Sequence, residues 1–418
     1  MKETKQRAIP ITKKMVYSAY KQVQGRKGSA GVDGVSLVDY EKNLSKNLYK
    51  LWNRLSSGSY FPPMVKEVSI PKASGGERKL GIPTVEDRIA QMVLKNHLEA
   101  KIDKHFHEHS YGYRPNKSAH GAIRQVRFYC YRKAWVIDLD IKGFFDNIDH
   151  ELMLKALNRH IDSNRERMYV KRWLEASVLT VEGKERVKEG KGTPQGGVIS
   201  PLLANLFLHY SFDLWFSKKY PHLDFVRYAD DIIVHCFKEK QSREVLSDIQ
   251  RRMKECKLEL NSQKTKIVYC KNSVRTEDYP TVQFSFLGYS YQPMTCKNRV
   301  TGELYIGFDL CISKASRKRI VTKLRAMKIQ KWITCSLQEV ADRLNPKIRG
   351  WLNYYGKYRM YKLRNVFKCL HWRILKWLRK KYKGLKYSKR KAFAALERIR
   401  DENPNLFVHW KAGFKALG

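Results

Sequence analysis

Two adjacent carboxylates, Asp230 and Asp231, sit between apolar runs in Phe225-Val226-Arg227-Tyr228-Ala229-Asp230-Asp231-Ile232-Ile233-Val234. Acids placed this way can hold metal ions, although a pair of Asp residues can also be no more than a solvated turn. A second acidic set lies upstream, in Trp135-Val136-Ile137-Asp138-Leu139-Asp140-Ile141-Lys142-Gly143-Phe144-Phe145-Asp146. A period of two puts Trp135, Ile137, Leu139 and Ile141 on one face and Asp138 with Asp140 on the other. Two acid-bearing strand ends can converge on paired divalent cations about 3.5 to 4 Å apart, the arrangement of two-metal phosphoryl transfer. Ligands that are all oxygen favour magnesium over zinc.

The elements that must position these acids are legible. Residues 225–234 read as a tight β-hairpin whose turn carries Asp230 and Asp231 out of the sheet. Val65 to Lys72 alternates like a strand, and the turn through Gly75 and Gly76 returns it into Arg78 to Ile82, a hairpin with cations at its tip. Thr84 and Asp87 form a capping-box signature for a helix through Ile89, Met92 and Val93. Gly192 to Ile199 is a glycine-rich loop, closed by Ser200 as N-cap and Pro201 at the first helical position. Such a loop lets backbone approach a phosphate or base closely, though it can equally be a plain turn. Residues 1 to 60 look helical, broken by the loop Gln24 to Gly34. Short strands are expected over 258–268 and 284–289. From about residue 313 the pattern is helical, with Ser336 and Glu339 capping one helix that runs to Asn345-Pro346. Leu363, Val366, Phe367, Leu370, Ile374, Trp377 and Leu378 form the apolar stripe of another.

Composition says what such a site could act on. The 418 residues carry 83 Lys plus Arg against 40 Asp plus Glu, a formal net charge of +43, which calls for a polyanionic partner. No run of eighteen apolar residues and no charged-then-apolar leader argues for a membrane, so nucleic acid is the expected partner. Between Lys376 and Lys391 stand nine Lys or Arg and no acid, with Trp377, Tyr382 and Tyr387 among them, a candidate nucleic-acid surface. The eight cysteines are scattered singly and read as reduced thiols.

The ordered set Ile70-Pro71-Lys72 with Arg78, Tyr111-Gly112-Tyr113-Arg114-Pro115, Asp140 to Asp146, Thr193-Pro194-Gln195-Gly196-Gly197, Tyr228-Ala229-Asp230-Asp231, Lys264-Thr265-Lys266 and Phe286-Leu287-Gly288 resembles the reverse transcriptases encoded by bacterial group II introns. The resemblance implies an α+β right-hand polymerase, with fingers and palm built on antiparallel sheet, followed by an α-helical thumb or maturase domain. It divides the chain into an N-terminal extension with a template lid (1–60), fingers (61–130), palm (131–300), thumb (301–380) and a basic DNA-binding segment (381–418). It makes Asp140, Asp230 and Asp231 the catalytic, metal-binding acids for two Mg2+ ions, with Asp138 beside them. It gives Lys72 and Arg78 the triphosphate, Phe144 the exclusion of a ribose 2′-hydroxyl, Gln195 the nascent base pair and Lys264 the leaving group. Arg26 and Lys27 of the lid loop, Arg114, Lys376, Arg379, Lys380 and Lys381 are the implied nucleic-acid contacts.

The same resemblance implies deoxynucleoside triphosphates, an RNA template with DNA primer, intron RNA and target DNA as partners, in a bacterial cytoplasmic ribonucleoprotein. Longer family members end in an endonuclease module with cysteine pairs; its absence before Gly418 implies no second-strand cleavage. Two alternatives stay open: a domesticated relative serving phage defence or repair, and a splicing-only RNA-binding maturase. RNA-templated RNA synthesis shares the metal core and is disfavoured by Phe144.

Overall fold

The computed structural model describes residues 10–71, 76–161, 163–298 and 300–414. The chain folds as two compact units, one ending at Ile267 and the other beginning at Val268, so the division falls inside the stretch 131–300.

The first unit is α+β. Its N-terminal helix Lys13–Arg26 starts where the Thr12 hydroxyl accepts from Met15 N, and it buries Val16, Ala19, Tyr20 and Val23, a helical stripe packed on the helix Val85–Ile102. It stops at Lys27, whose φ of 55° leaves the helical region. The helices Leu37–Glu41 and Leu44–Ser57 follow, so the described part of this stretch is helical, as expected. Thr84 caps Val85–Ile102 by accepting from Asp87 N at 3.2 Å, as expected. The Asp87 carboxylate does not close a capping box. It turns inward to accept from Tyr60, Gln91 and Trp173, because this helix is buried almost all round.

Strands β1 (Val65–Pro71) and β2 (Glu77–Ile82) pair antiparallel with Ile70 opposite Arg78, and β4 (Val178–Leu179) and β5 (Glu185–Arg186) extend that sheet in the order β2-β1-β4-β5. A second sheet is built on β3 (Trp135–Leu139), β6 (Asp224–Tyr228) and β7 (Asp231–Cys236), with β7 antiparallel to both neighbours. Ile137, Leu139, Ile232 and Val234 are at most 2% exposed, so one face of that sheet is core. Strand β8 (Lys266–Tyr269) carries the chain from the first unit into the second.

The second unit opens on a three-stranded antiparallel sheet of β9 (Phe284–Phe286), β10 (Tyr289–Lys297) and β11 (Leu304–Ile312), then becomes helical. The capping box at Ser336 and Glu339 forms as expected. Its helix does not end at Asn345-Pro346 but continues from Leu337 to Tyr355. Val340, Ala341, Leu344 and Ile348 are fully buried on one face. At about 1.5 to 3 kcal/mol for each large apolar side chain, that burial outweighs the roughly 3 kcal/mol cost of an interior proline. The stripe from Leu363 to Leu378 is buried on Arg364–Lys381, also as expected. The eight cysteines are thiols outside any disulfide. No helix among the described residues is long and apolar enough to cross a membrane.

Candidate active site

The register of β6 with β7 pairs Tyr228 with Asp231 and leaves Ala229-Asp230 as a two-residue turn. Ala229 has φ 57°. Positive φ at the first central position alone is the habit of a II′ turn, where glycine is usual, and an L-residue there costs about 1 to 2 kcal/mol. On the other side β7 pairs with β3, Leu139 opposite Ile232 and Asp138 opposite Ile233. One step further along that register Asp140 comes level with Asp231, and the pleat puts Asp138 on the same face.

The acids feel one another. Burial pushes Asp138 up to about 7, with Asp231 and Asp140 adding to the rise and Lys266 opposing it. The surrounding protein raises Asp231 to about 6, helped by Asp230 and Asp140, even though solvent still reaches the side chain. Asp230 is raised as well, first by burial, with Asp140 adding and Arg78 opposing. Carboxylates raised by burial and by each other are those a cation would relieve. The main chain of Asp140 is held from the Lys264-Thr265-Lys266 motif and the turn before it: Asp140 N donates to Thr265 Oγ1, and Asp140 O accepts from Asn261 N at 2.8 Å. Lys264 Nζ stands 3.5 Å from Asp140 Oδ2. The donor set is all carboxylate oxygen, the chemistry of a hard divalent cation. Among the described residues, no three carboxylate, imidazole or thiolate side chains are gathered into a metal-holding group. The acids stand instead at the ends of paired strands and on the turn between two of them.

The glycine-rich loop is fixed to this surface and to the β1-β2 hairpin. Thr193 N donates to Phe145 O at 2.8 Å, Gly81 N to Gln195 O at 2.7 Å, and Arg78 Nε to Gln195 Oε1 at 2.6 Å. A Cβ on Gly196 would lie 2.5 Å from Gly81 O, so the approach of loop to strand requires glycine there. Ser200 is not the N-cap. Ile199 occupies that position without a side-chain bond, because the Ser200 hydroxyl accepts instead from Thr193 Oγ1 at 2.9 Å. Arg78, Gln195 and the Phe144-Phe145 turn are thus drawn together, with the Phe144 ring buried against Phe145 and Phe207. Lys72 lies outside the described residues.

Three residues to which the sequence assigned no part in the site belong to this neighbourhood. Tyr113, exposed and at φ 57°, places its ring 6.3 Å from Tyr228. Its phenol is raised first by burial and then by Asp230, with Arg78 opposing. Gln91 and Asp87 support the loop from beneath: Gln91 Oε1 accepts from Val198 N at 2.7 Å while its Nε2 donates to Asp87 Oδ2 at 2.9 Å. The available signal was two polar residues four apart, Asp87 and Gln91, flanking the apolar pair Ile89-Ala90 and followed by Met92-Val93-Leu94.

The basic residues divide. Arg26, the last residue of the helix Lys13–Arg26, and Lys27, the first of the loop after it, are exposed, and that loop is held by Arg88 Nη2 donating to Ser29 O at 2.6 Å. Arg114 turns inward: it pairs with Asp103 at 2.7 Å and donates to the carbonyls of His107, Ser110 and Asp103. This corrects its assignment as a nucleic-acid contact to an internal brace, since those acceptors occupy the guanidinium. Lys376 and Lys380 are exposed, whereas Arg379 donates to Lys386 O and Lys381 to Cys335 O. Trp377 is wholly buried and donates to Trp332 O, so of the aromatics in that basic run only Tyr382 and Tyr387 face solvent.

A family model for reverse transcriptase (RNA-dependent DNA polymerase) matches residues 70–291, and one for the group II intron maturase-specific domain matches residues 317–394. Protein YkfC of Escherichia coli (strain K12) is 34% identical over 275 residues, which is 57% of this chain and 71% of that protein. The group II intron-encoded protein LtrA of Lactococcus lactis subsp. cremoris is 35% identical over 195 residues, 46% of this chain and 32% of LtrA. An uncharacterized 91 kDa protein in the cob intron of Schizosaccharomyces pombe is 28% identical over 359 residues, 70% of this chain and 43% of that protein. The alignments thus span less than half of either intron-encoded relative. Carboxylates on two paired strands, a cation on the neighbouring hairpin and these matches agree: the chain belongs to the reverse transcriptase (RNA-dependent DNA polymerase) family and carries a group II intron maturase-specific domain after the polymerase module.

Proposed function

We propose that this chain copies RNA into DNA with two magnesium ions held by Asp140, Asp230 and Asp231, and that it also binds its group II intron RNA to promote splicing and target-primed insertion. The observation that carries the reading is the register that ends with Leu139 opposite Ile232, one residue short of Asp140 and Asp231, beside the turn that bears Asp230, together with the rise that Asp140 and Asp230 cause in Asp231. When bound, the ions supply Lewis acidity that activates a primer 3′-hydroxyl and offsets phosphate charge. Asp138, already raised toward neutrality, supports the ligand set from the same face.

Arg78 and Lys72 take the triphosphate of the incoming deoxynucleotide, their charge opposing the negative charge that builds on pyrophosphate. Binding frees Gln195 from Arg78 Nε, and the amide then turns to the new base pair. Lys264 Nζ, close to Asp140, assists the leaving group. Phe144 excludes a ribose 2′-hydroxyl. Fingers, palm, thumb and basic tail take residues 61–130, 131–300, 301–380 and 381–418, with residues 1–60 over the template. Arg26, Lys27, Lys376 and Lys380 contact nucleic acid.

Primer extension on an RNA template with deoxynucleotides and magnesium tests the assignment. Full-length complementary DNA is expected from the natural chain and none from Asp230→Ala, while Phe144→Ala admits ribonucleotides. Equal synthesis by the natural chain and Asp230→Ala would remove the catalytic assignment.

A further inference from the structure

We infer that Arg227 is a positioning residue for the carboxylate-bearing turn, held in its working orientation by Asn205 and by Asp213 at the end of a π-helical turn; the inference rests on the polymerase reading above. Asp230 sits on a turn that its own backbone disfavours, since Ala229 is held at φ 57°. Something outside the turn must hold it there. Arg227, wholly buried three residues before Asp230, donates from Nη1 to Ala229 O at 3.1 Å. The same Nη1 donates to Asn205 Oδ1 at 2.9 Å, and the Asn205 amide donates onward to Gly112 O at 2.7 Å.

Gly112 is the other half of the clamp. A Cβ on it would lie 2.3 Å from Ala229 N, so the two chain segments are pressed together at the turn. Their approach is fixed by Arg227 N donating to His109 O and Tyr111 N donating to Arg227 O, at 2.9 and 2.8 Å. Arg227 and Asn205 therefore grip one carbonyl on each of the facing segments. Tyr113, next along, is carried over the turn by the same contact.

The far side of the guanidinium is fixed by Asp213, which accepts from Nε at 2.8 Å and from Nη2 at 2.6 Å. Asn205 and Asp213 lie on one continuous helical run, Ser200–Leu208 followed by the π-turn His209–Asp213. In an uninterrupted α-helix, residues eight apart are roughly 80° out of phase at 3.6 residues per turn. The wider turn, closed by i→i+5 bonds, absorbs about one extra residue and brings the two side chains back to one face. The carbonyls of Tyr210 and Ser211, inside that turn, accept from Arg252 at 3.2 and 3.1 Å. A π-turn supported this way aims Asp213 at Arg227, where an α-turn would swing it away.

A buried ion pair is weak as a source of stability, because desolvation offsets most of its attraction, so a defined geometry is the better account of this one. The lysine variant Arg227→Lys retains charge but cannot grip Asp213 through two nitrogens while reaching Ala229 O. Asn205→Ala leaves the Arg227–Asp213 pair and the bond to Ala229 O in place, and removes the Asn205 link between Arg227 Nη1 and Gly112 O. Both are assayed as the full chain by primer extension with active-site titration, a magnesium titration, and thermal unfolding. For Arg227→Lys the expected result is a loss of kcat per active site of about tenfold or more, with KM for deoxynucleotide within about threefold and a higher half-saturating magnesium concentration, the pattern of displaced reacting groups. Asn205→Ala should show the same pattern, weaker, and decides the matter where Arg227→Lys does not fold. Normal kcat per active site, or a loss accounted for wholly by the folded fraction with unchanged magnesium dependence, overturns the inference. Activity surviving in Asp230→Asn would instead bring down the polymerase assignment, so the two failures are distinct.

Discussion

Gln91→Met offers a quantitative test of how the glycine-rich loop is held. Met matches Gln in length and carries no comparable hydrogen-bonding group, so the helix keeps its packing and loses its polar relay. Three bonds disappear: Val198 N and Ile199 N to Gln91 Oε1, at 2.7 and 3.3 Å, and Gln91 Nε2 to Asp87 Oδ2, at 2.9 Å. Gln91 and Asp87 are 3% and 1% exposed, so water does not replace them. At about 1 to 3 kcal/mol for each buried group left unsatisfied, counting Val198 N and Asp87 Oδ2 fully and the long Ile199 bond little, the loss is roughly 2 to 6 kcal/mol. Against a total stability of about 5 to 15 kcal/mol that is severe, and at roughly 2 to 4 °C per kcal/mol it lowers Tm by about 10 °C. Urea denaturation followed by tryptophan fluorescence measures it, with Trp173 reporting from the same cluster. Because Gln195 lies three residues before Val198, KM for deoxynucleotide should rise as well. A loss under about 1 kcal/mol with an unchanged KM would refute the anchoring argument, since this mutation class is not silent when buried partners are left alone.

Three further outcomes follow from the same network and from the basic run. Asp87, pushed up to about 6 by burial, binds its proton more tightly folded than unfolded, where a carboxylate titrates near its ordinary 3.8. Stability from this group is therefore present below pH 3.8 and lost as pH rises through about 6, and Asp87→Asn should flatten that part of a Tm-against-pH profile. Lys376→Ala with Lys380→Ala should weaken RNA binding alike across sequences and reduce the salt slope by up to about 2, measured by filter binding over a salt series. Arg379→Ala should instead lower stability, because that side chain is engaged with Lys386 O.

What was legible in the chain was what repeats at a fixed local period or carries a turn. The alternation around Asp138 and Asp140, the hairpin flanking Asp230 and the stripe from Leu363 to Leu378 all report burial by spacing alone. The acids and Arg78 could be placed on elements in the same way. What was not legible depended on partners distant in sequence. Arg114 reads as one more cation in a strongly basic chain, and only the fold shows Asp103 and three carbonyls around it. Pro346 reads as a helix end, and only the burial of Val340, Leu344 and Ile348 carries the helix past it. Trp377, by contrast, lies among lysines in sequence and was still legible as core, because helical periodicity separates neighbours onto opposite faces and puts it in the apolar stripe.

Arg227 shows the same limit at the site itself. Beside the acidic pair it reads as a surface cation or a contact for phosphate, and nothing local distinguishes those roles from a buried brace. The distinction comes from Asp213, fourteen residues earlier, and its aim depends on one helical turn of unusual width. A π-turn leaves no compositional mark in His209-Tyr210-Ser211-Phe212-Asp213 that a α-helical reading would reject. It persists because Arg252 occupies the carbonyls that the wider turn displaces. Removing that support through Arg252→Leu should let the turn tighten and rotate Asp213 off Arg227, so the polymerase would lose kcat although Arg252 touches neither the acids nor the loop that bears Gln195. Unchanged kcat in that variant would mean that Asp213 keeps its aim without Arg252, and the coupling between turn width and the carboxylate site would fail.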